Sequence, residues 1–240
     1  MPDNRPPDTV PATPLDPAPG TLRISDLSLW AAQKPLLHRF SLQVAPGEVL
    51  TLMGQSGSGK STLLGWMVGD VPAAVRAQGE LWLGGRRIDT LPTEQRRVGI
   101  LFQDDVLFAH LSVGQNLAFA LPASVGGKAQ RRARVEDALA SVGLGGFHDR
   151  DPATLSGGQR ARASLMRALL AEPLALLLDE PFARLDMALR VPFRELVFRH
   201  VAERGIPTLL VTHDPADVPE AMQAHGPVRG RVQHLEPPHV

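Results

Sequence analysis

The chain has no cysteine, no net charge and no long apolar run. Without cysteine it can form neither disulfides nor thiolate metal sites, which agrees with a cytosolic home. Its 25 Lys and Arg residues balance 25 Asp and Glu, and the sequence pI is near 7.1. No strong electrostatic pull toward nucleic acid or anionic lipid is therefore implied, and a nucleic-acid partner is not expected. No stretch reaches the roughly 18 consecutive apolar residues of a membrane span, and no basic segment followed by an apolar core opens the chain as a secretory signal would. What is plentiful is hydrophobic residues, 43% of 240. That is enough for the core of one large α/β domain, or of one domain with an inserted subdomain. Pro2 to Gly20 is rich in proline with scattered Asp and Thr. Such a segment cannot bury enough surface to order itself, so a disordered tail is expected over 1–20.

The most informative stretch is Gly54-Gln55-Ser56-Gly57-Ser58-Gly59-Lys60-Ser61-Thr62, which fits the phosphate-loop pattern G-x-x-x-x-G-K-[ST] at every fixed position. A polyphosphate is best held by backbone N–H groups at a helix start, where the macrodipole also favours an anion. Gly54, Gly57 and Gly59 keep side chains out of the way. Lys60 is placed to reach the β- and γ-phosphates, and the Ser61 hydroxyl to ligate Mg²⁺. The flanks agree: Glu48–Met53 reads as a buried strand and Lys60–Val68 as a helix closed by Gly69. This chain is expected to bind a nucleotide.

Further along, Leu22-Arg23-Ile24, Leu27–Trp30 and, after a turn at Lys34-Pro35, Phe40–Val44 read as short antiparallel strands. Trp30 at a strand end reads, taken alone, as a packed aromatic. Gly79–Leu83 and Arg86–Ile88 form a second strand pair, and Val98–Phe102 is a buried strand running into Gln103. From Asp104 apolar residues recur at helical spacing, so an inserted helical subdomain is expected over about 104–165. Its basic cluster of Lys128, Arg131, Arg132 and Arg134 reads as a solvated helix face. Ser156 and Gln159 have the spacing of a capping box, so Leu155-Ser156-Gly157-Gly158-Gln159 opens a helix, a start that could also meet an anion. Leu174–Leu178 is a continuous apolar run, expected for a strand covered on both faces, and it ends in Asp179-Glu180. Adjacent strand residues point to opposite faces, so one carboxylate can hold Mg²⁺ while the other orients and deprotonates a water. Ile206–Thr212 is a last apolar strand, ending at His213-Asp214. If these strands share one sheet, the glycine loop, the Asp-Glu pair and His213 converge on one crevice at its carboxyl edge.

Together these motifs resemble the ATP-binding subunit of ABC transporters, over about Leu22 to Val232. Gly54–Thr62 matches the Walker A loop, Leu155–Gln159 the LSGGQ stretch, and Leu174–Glu180 the Walker B strand with its catalytic glutamate. Gln103 matches the Q-loop, Leu185-Asp186 the end of the D-loop, and His213 the switch histidine. The resemblance implies an α/β P-loop NTPase fold: a RecA-like parallel sheet core, an N-terminal antiparallel β-subdomain and the inserted α-helical subdomain. The ATPase domain would span 21–232, with a C-terminal tail at 233–240.

The same resemblance implies ATP and Mg²⁺ as ligands and Trp30 as an aromatic stacked on adenine. Ser61, Gln103 and Asp179 would serve Mg²⁺, Glu180 would be the general base, and His213 would sense the γ-phosphate. Family members form head-to-tail dimers, so Ser156, Gly157, Gly158, Gln159 and Asp186 would contact ATP bound by the other subunit. Integral membrane permease subunits, and a solute-binding protein in the complex, would be the further partners. The chain would sit peripherally on the cytoplasmic face of the inner membrane. Gly99 to Pro122 resembles importer ATPases of the thiamine, polyamine, iron and molybdate group, and an uncharacterised bacterial system of the Ynj type, so import is favoured over export. Gln55 stands where many relatives have proline, and Ala183 where many have serine. The C-terminal regulatory domain of some sugar and polyamine importers is not expected after His213. DNA-repair and translation ATPases of the family carry long coiled-coil insertions or two cassettes, neither of which is visible, and a small-molecule kinase would not need the LSGGQ stretch.

Overall fold

The computed structural model describes residues 19–55, 57–103, 107–183, 185, 187–219 and 229–235. The tail expected over 1–20 falls almost wholly outside the described residues, as do Ser56 and Asp186.

Two sheets with different connectivity carry the chain. The first is antiparallel, in the order β2-β1-β4-β5, from β1 (Leu22–Ala31), β2 (Lys34–Val44), β4 (Val75–Leu83) and β5 (Arg86–Arg87). The second is parallel, in the order β6-β7-β8-β3-β9, from β3 (Glu48–Met53), β6 (Val98–Leu101), β7 (Ala175–Asp179), β8 (Thr208–Val211) and β9 (Arg229–His234). The helices are α1 (Lys60–Val68), α2 (Thr93–Arg96), α3 (Val113–Ala120), α4 (Lys128–Ser141), α5 (Gly157–Leu170) and α6 (Met187–Arg204).

The parallel sheet divides two apolar cores, because successive strand residues face opposite ways. Leu176, Leu178, Leu210 and Val49 join α3, α4, α5 and α6 in one core. Ala175, Leu177, Leu209, Val211, Leu50 and Leu52 join α1 and the antiparallel sheet in the other. This double burial is why β7 and β8 read as unbroken apolar runs rather than alternating ones.

Local details depart from the sequence reading. Leu22 to Ala31 is one strand kinked by register shifts, not two strands. The turn after it is at Ala32-Gln33, since Ala31 pairs with Lys34; Lys34-Pro35 already belongs to β2. Pro35 is tolerated there because β2 is an edge strand, which need not donate on its open side. The strand β9 was not anticipated, and it runs past Val232, where the domain was expected to end. Its alternating polar residues suit a half-exposed sheet edge and give no apolar run. Leu235 just after it is buried and donates its N–H to the Met53 carbonyl at 2.7 Å. A Cβ at Gly54 would lie 2.8 Å from the Leu235 carbonyl oxygen, so the closeness of this strand requires glycine at the head of the phosphate loop.

The end of α1 is held by Arg96, a buried residue of α2. Its guanidinium donates to the carbonyls of Trp66 at 2.7 Å, Met67 at 3.2 Å, Leu91 at 2.8 Å and Asp89 at 2.7 Å. It thereby gives the Met67 carbonyl a donor and adds a second to the Trp66 carbonyl, which also accepts from the Gly69 N–H at 3.2 Å. Arg96→Ala is expected to lower unfolding stability by about 2–4 kcal/mol, because buried carbonyls lose their donors and a cavity opens. Chemical denaturation of the nucleotide-free chain measures it, and a loss below about 1 kcal/mol would contradict the capping role.

Candidate nucleotide-hydrolysis site

The strands that lead into the glycine loop, Gln103, Glu180 and His213 end at the same edge of the parallel sheet. Leu101 pairs with Leu178, Asp179 with Val211, and Leu52 with Val211. The segments that follow these strands carry the glycine loop, Gln103, Glu180 and His213, and therefore gather along one carboxyl edge.

The phosphate loop runs from β3 into α1 with Gly59 at the helix N-cap. Gly57 has φ of 81°, a conformation costly for other residues, and no atom lies within 4 Å of where a Cβ would be. Its backbone therefore borders open space. Lys60 folds back onto the loop: Nζ donates to the carbonyls of Gly54 at 2.6 Å and Gln55 at 2.8 Å, and to Ser58 Oγ at 3.4 Å. Those donors are what a phosphate would compete for.

Ser61, at the second position of α1, donates its hydroxyl to Asp179 Oδ2 at 3.3 Å. Burial pushes the Asp179 carboxyl above its usual range, and the neighbouring Glu180 charge adds to this, while Ser61 and Lys60 work the other way. A divalent cation beside it would oppose that shift by favouring the ionised carboxylate. A hydroxyl and one carboxylate are the hard oxygen ligands Mg²⁺ takes while keeping several waters, so the residues present fit that ion.

Glu180 adopts φ of 48°, in the left-handed region that non-glycine residues avoid. Its N–H donates to the Val211 carbonyl at 2.9 Å. The turn, rather than strand alternation, separates the two carboxylates: β7 ends at Asp179, which faces Ser61, and Glu180 lies beyond it facing His213. His213 Nδ1 is 2.8 Å from Glu180 Oε1. That hydrogen bond and the Glu180 charge raise the imidazole pKa above the ordinary 6.5. The pairing therefore stabilises the fold below about pH 6.5 and fades as pH climbs through the raised value.

Other expected residues stand apart from this group. Gln103 is exposed two residues beyond the end of β6, the strand that pairs with β7. Trp30 pairs with Pro35, the neighbour of Leu36, and the Leu36 Cβ would be 3.3 Å from a Cβ at Gly59. This places Trp30 on the antiparallel strands flanking the loop, with the Arg76 guanidinium 5.8 Å above its ring. Thr62 follows Ser61 in α1.

The capping box is formed: Ser156 Oγ accepts from the Gln159 N–H at 3.3 Å, and Gln159 Oε1 accepts from the Ser156 N–H at 3.0 Å. Since Ser156 accepts in its cap, its own hydroxyl proton is left to donate elsewhere. Among the described residues no hydrogen bond joins Ser156–Gln159 to the phosphate loop, Asp179, Glu180 or His213. Gly158 has a reason within the chain as well, since a Cβ there would lie 3.2 Å from Leu189 Cδ1. Gly157 precedes it as the first residue of α5.

Sequence reasoning missed Asn116, fully buried in α3. Its amide donates to the carbonyls of Phe108, Leu111 and Ser112, and its oxygen accepts from the Phe108 N–H at 2.7 Å. The available signal was a polar residue on the apolar stripe of Val113 and Leu117.

Comparison with known proteins decides the family. A family model described as "ABC transporter" matches residues 37–183. An uncharacterised ABC transporter ATP-binding protein, YnjD of Escherichia coli K12, is 56% identical over 198 residues, covering 82% of this chain and 91% of that one. The chain belongs to the ABC transporter ATP-binding family. The thiamine import ATP-binding protein ThiQ of Haemophilus influenzae (strain 86-028NP) is 43% identical over 77% of this chain and 85% of its own length. The sulfate/thiosulfate import ATP-binding protein CysA of Gloeobacter violaceus is 42% identical over 82% of this chain, which spans only 57% of that relative. A dimeric ATP-binding cassette, MJ0796, solved in a post-hydrolysis state with ADP and Pi, superposes with a TM-score of 0.72 at 27% identity, covering 82% of this chain and 89% of that one. The parallel core flanked by an antiparallel sheet is thus the ABC cassette fold, and the chain is an ABC ATPase.

For the Glu180–His213 pair, NMR titration of His213 in the nucleotide-free ABC chain should give a midpoint above 6.5, falling back toward 6.5 in Glu180→Gln. An identical midpoint in both proteins would overturn the pairing.

Proposed function

We propose that this ABC ATPase energises solute import through separate membrane permease subunits, hydrolysing ATP at the carboxyl edge of its parallel sheet. One observation carries the reading: the phosphate loop, the Ser61–Asp179 contact and the Glu180–His213 pair are brought together by strands paired in one sheet. Import is supported by relatives whose names describe thiamine, sulfate/thiosulfate and Fe(3+) import ATP-binding proteins. No helix among the described residues is long and apolar enough to cross a membrane, so the solute path belongs to other subunits. The chain would then work peripherally on the cytoplasmic face of the inner membrane, with a solute-binding protein as a further partner.

The roles follow from the chemistry of each group. Gln55, Ser56, Gly57, Ser58 and Gly59 offer loop amides to the phosphates, and Lys60 gives up its loop carbonyls for β- and γ-phosphate oxygens. Ser61 and Asp179, with Gln103 as a further oxygen ligand, would hold Mg²⁺, which when bound neutralises charge on those oxygens. Glu180 takes the proton of the attacking water as its oxygen bonds to the γ-phosphorus and the bond to the bridging oxygen of ADP breaks. His213, held by Glu180, donates toward the γ-phosphate. The dimeric cassette structures support a homodimer in which Ser156, Gly157, Gly158, Gln159 and Asp186 complete the partner's site. Trp30 stacks on adenine.

Glu180→Gln should slow hydrolysis by about 10²- to 10⁴-fold while ATP still binds, and with ATP and Mg²⁺ it should accumulate as a dimer. Phosphate release and light scattering measure the two effects, and near-normal turnover in this variant would refute the hydrolytic assignment. In Lys60→Ala, calorimetry should show weakened ATP binding through the lost phosphate contact; unchanged affinity would contradict the loop reading.

A further inference from the structure

The side chain of His213 is 73% exposed, yet it can act only if its imidazole stays within reach of Glu180. An exposed ring on a loop keeps its place when the backbone beneath it is fixed. Here the flanking residues are the fixed ones: Thr212 is 0% and Asp217 1% exposed.

Asp217 is gripped from α6. Its Oδ1 accepts from Arg190 Nε at 3.0 Å and its Oδ2 from Arg190 Nη2 at 2.8 Å. This is the fork geometry in which a guanidinium fixes orientation as well as charge. The Asp217 Oδ2 also accepts the Thr212 hydroxyl at 2.8 Å, and Thr212 Oγ1 in turn accepts from the Asp214 N–H at 3.1 Å. Those two bonds bracket His213. Asp214 is 2.7 Å from Arg190 Nη2 and caps the Ala216 N–H at 2.9 Å. Arg194, four residues along α6, donates to the Ala216 carbonyl. Arg190 lies three residues after Met187, where α6 begins just beyond the Leu185-Asp186 segment.

We propose that Arg190, acting through Asp217 and Thr212, is a positioning residue that holds His213 against Glu180 and fixes the switch loop to the start of α6. This rests on the hydrolytic reading of Glu180 and His213. Among the described residues none of the network's hydrogen bonds reaches the phosphate loop, so its loss is expected in turnover more than in ATP binding.

The test is a double-mutant cycle on ATP hydrolysis with Thr212→Val, Arg190→Gln and Arg190→Lys, each made in the parent and in His213→Ala. Thr212→Val keeps the side-chain shape and removes only the hydroxyl, so it decides the matter even if an arginine variant fails to fold. In the parent, Thr212→Val and Arg190→Gln should lower kcat by about 10- to 100-fold, the scale of a small misplacement of a reacting group, with KM little changed. Arg190→Lys should recover part of the loss, since an ammonium cannot bridge both carboxylate oxygens. In His213→Ala the same changes should cost almost nothing more.

Losses that multiply fully in both backgrounds, or no loss in the parent, would overturn the proposal. A second readout is independent of residual activity: Thr212→Val should bring the His213 titration midpoint back toward 6.5 as the contact with Glu180 loosens. The groups acting on that imidazole are Glu180, Asp214 and Asp217, and an unmoved midpoint counts against positioning. If Glu180→Gln turned over normally the hydrolytic reading would fall. Full multiplicativity with an inactive Glu180→Gln would sink only the positioning role.

Discussion

The parallel pairing of β7 with β8 sets Asp179 opposite Val211, and the next amide, that of Glu180, extends the ladder by donating to the Val211 carbonyl. That last bond is made with Glu180 at φ of 48°. Backbone in this region costs on the order of 1–3 kcal/mol and persists only where its surroundings impose it. The surroundings here are two strands buried on both faces, one bond beyond the ladder and the imidazole of His213. Because Glu180 turns out of the strand at that point, one carboxylate meets the Ser61 hydroxyl and the other meets His213. Two acidic residues adjacent in sequence thus stand in separate chemical settings.

The sheet beneath this edge is held from both sides by different kinds of structure. One face rests on α1 and the antiparallel strands, and the other on the helical segments α3 to α6. The loops at this edge are pinned by buried polar groups as well as by apolar side chains such as Phe182 and Leu185. Asn116 ties Phe108 to Ser112, and Asp217 ties Thr212 to α6. Hydrogen-bond networks of this sort are directional, so they fix loop geometry where apolar contacts would allow sliding.

Much of the site was legible along the chain because its chemistry is local. The phosphate loop needs glycines at fixed offsets before a lysine and a serine, and the limits of β3 and α1 around it agree with the sequence reading. The helix opened by Ser156 carries its own cap within four residues. Elements whose partners are remote in sequence were not legible. The strand β9 pairs with β3 across more than 170 residues and is too polar to stand out, and the turn before β2 was displaced because proline suggested a break that an edge strand does not require.

The sequence by itself determined which groups are available: a glycine cradle, an ammonium, a hydroxyl, two carboxylates and an imidazole, each at the end of an apolar run or the start of a capped helix. Local spacing fixes these because they depend on residues within one turn or one strand of each other. Only the tertiary structure decided which groups meet. The Ser61–Asp179 contact spans 118 residues and the Glu180–His213 contact 33. Neither follows from any local pattern, because both depend on strand order and register in a sheet that is settled when its two faces bury their cores together.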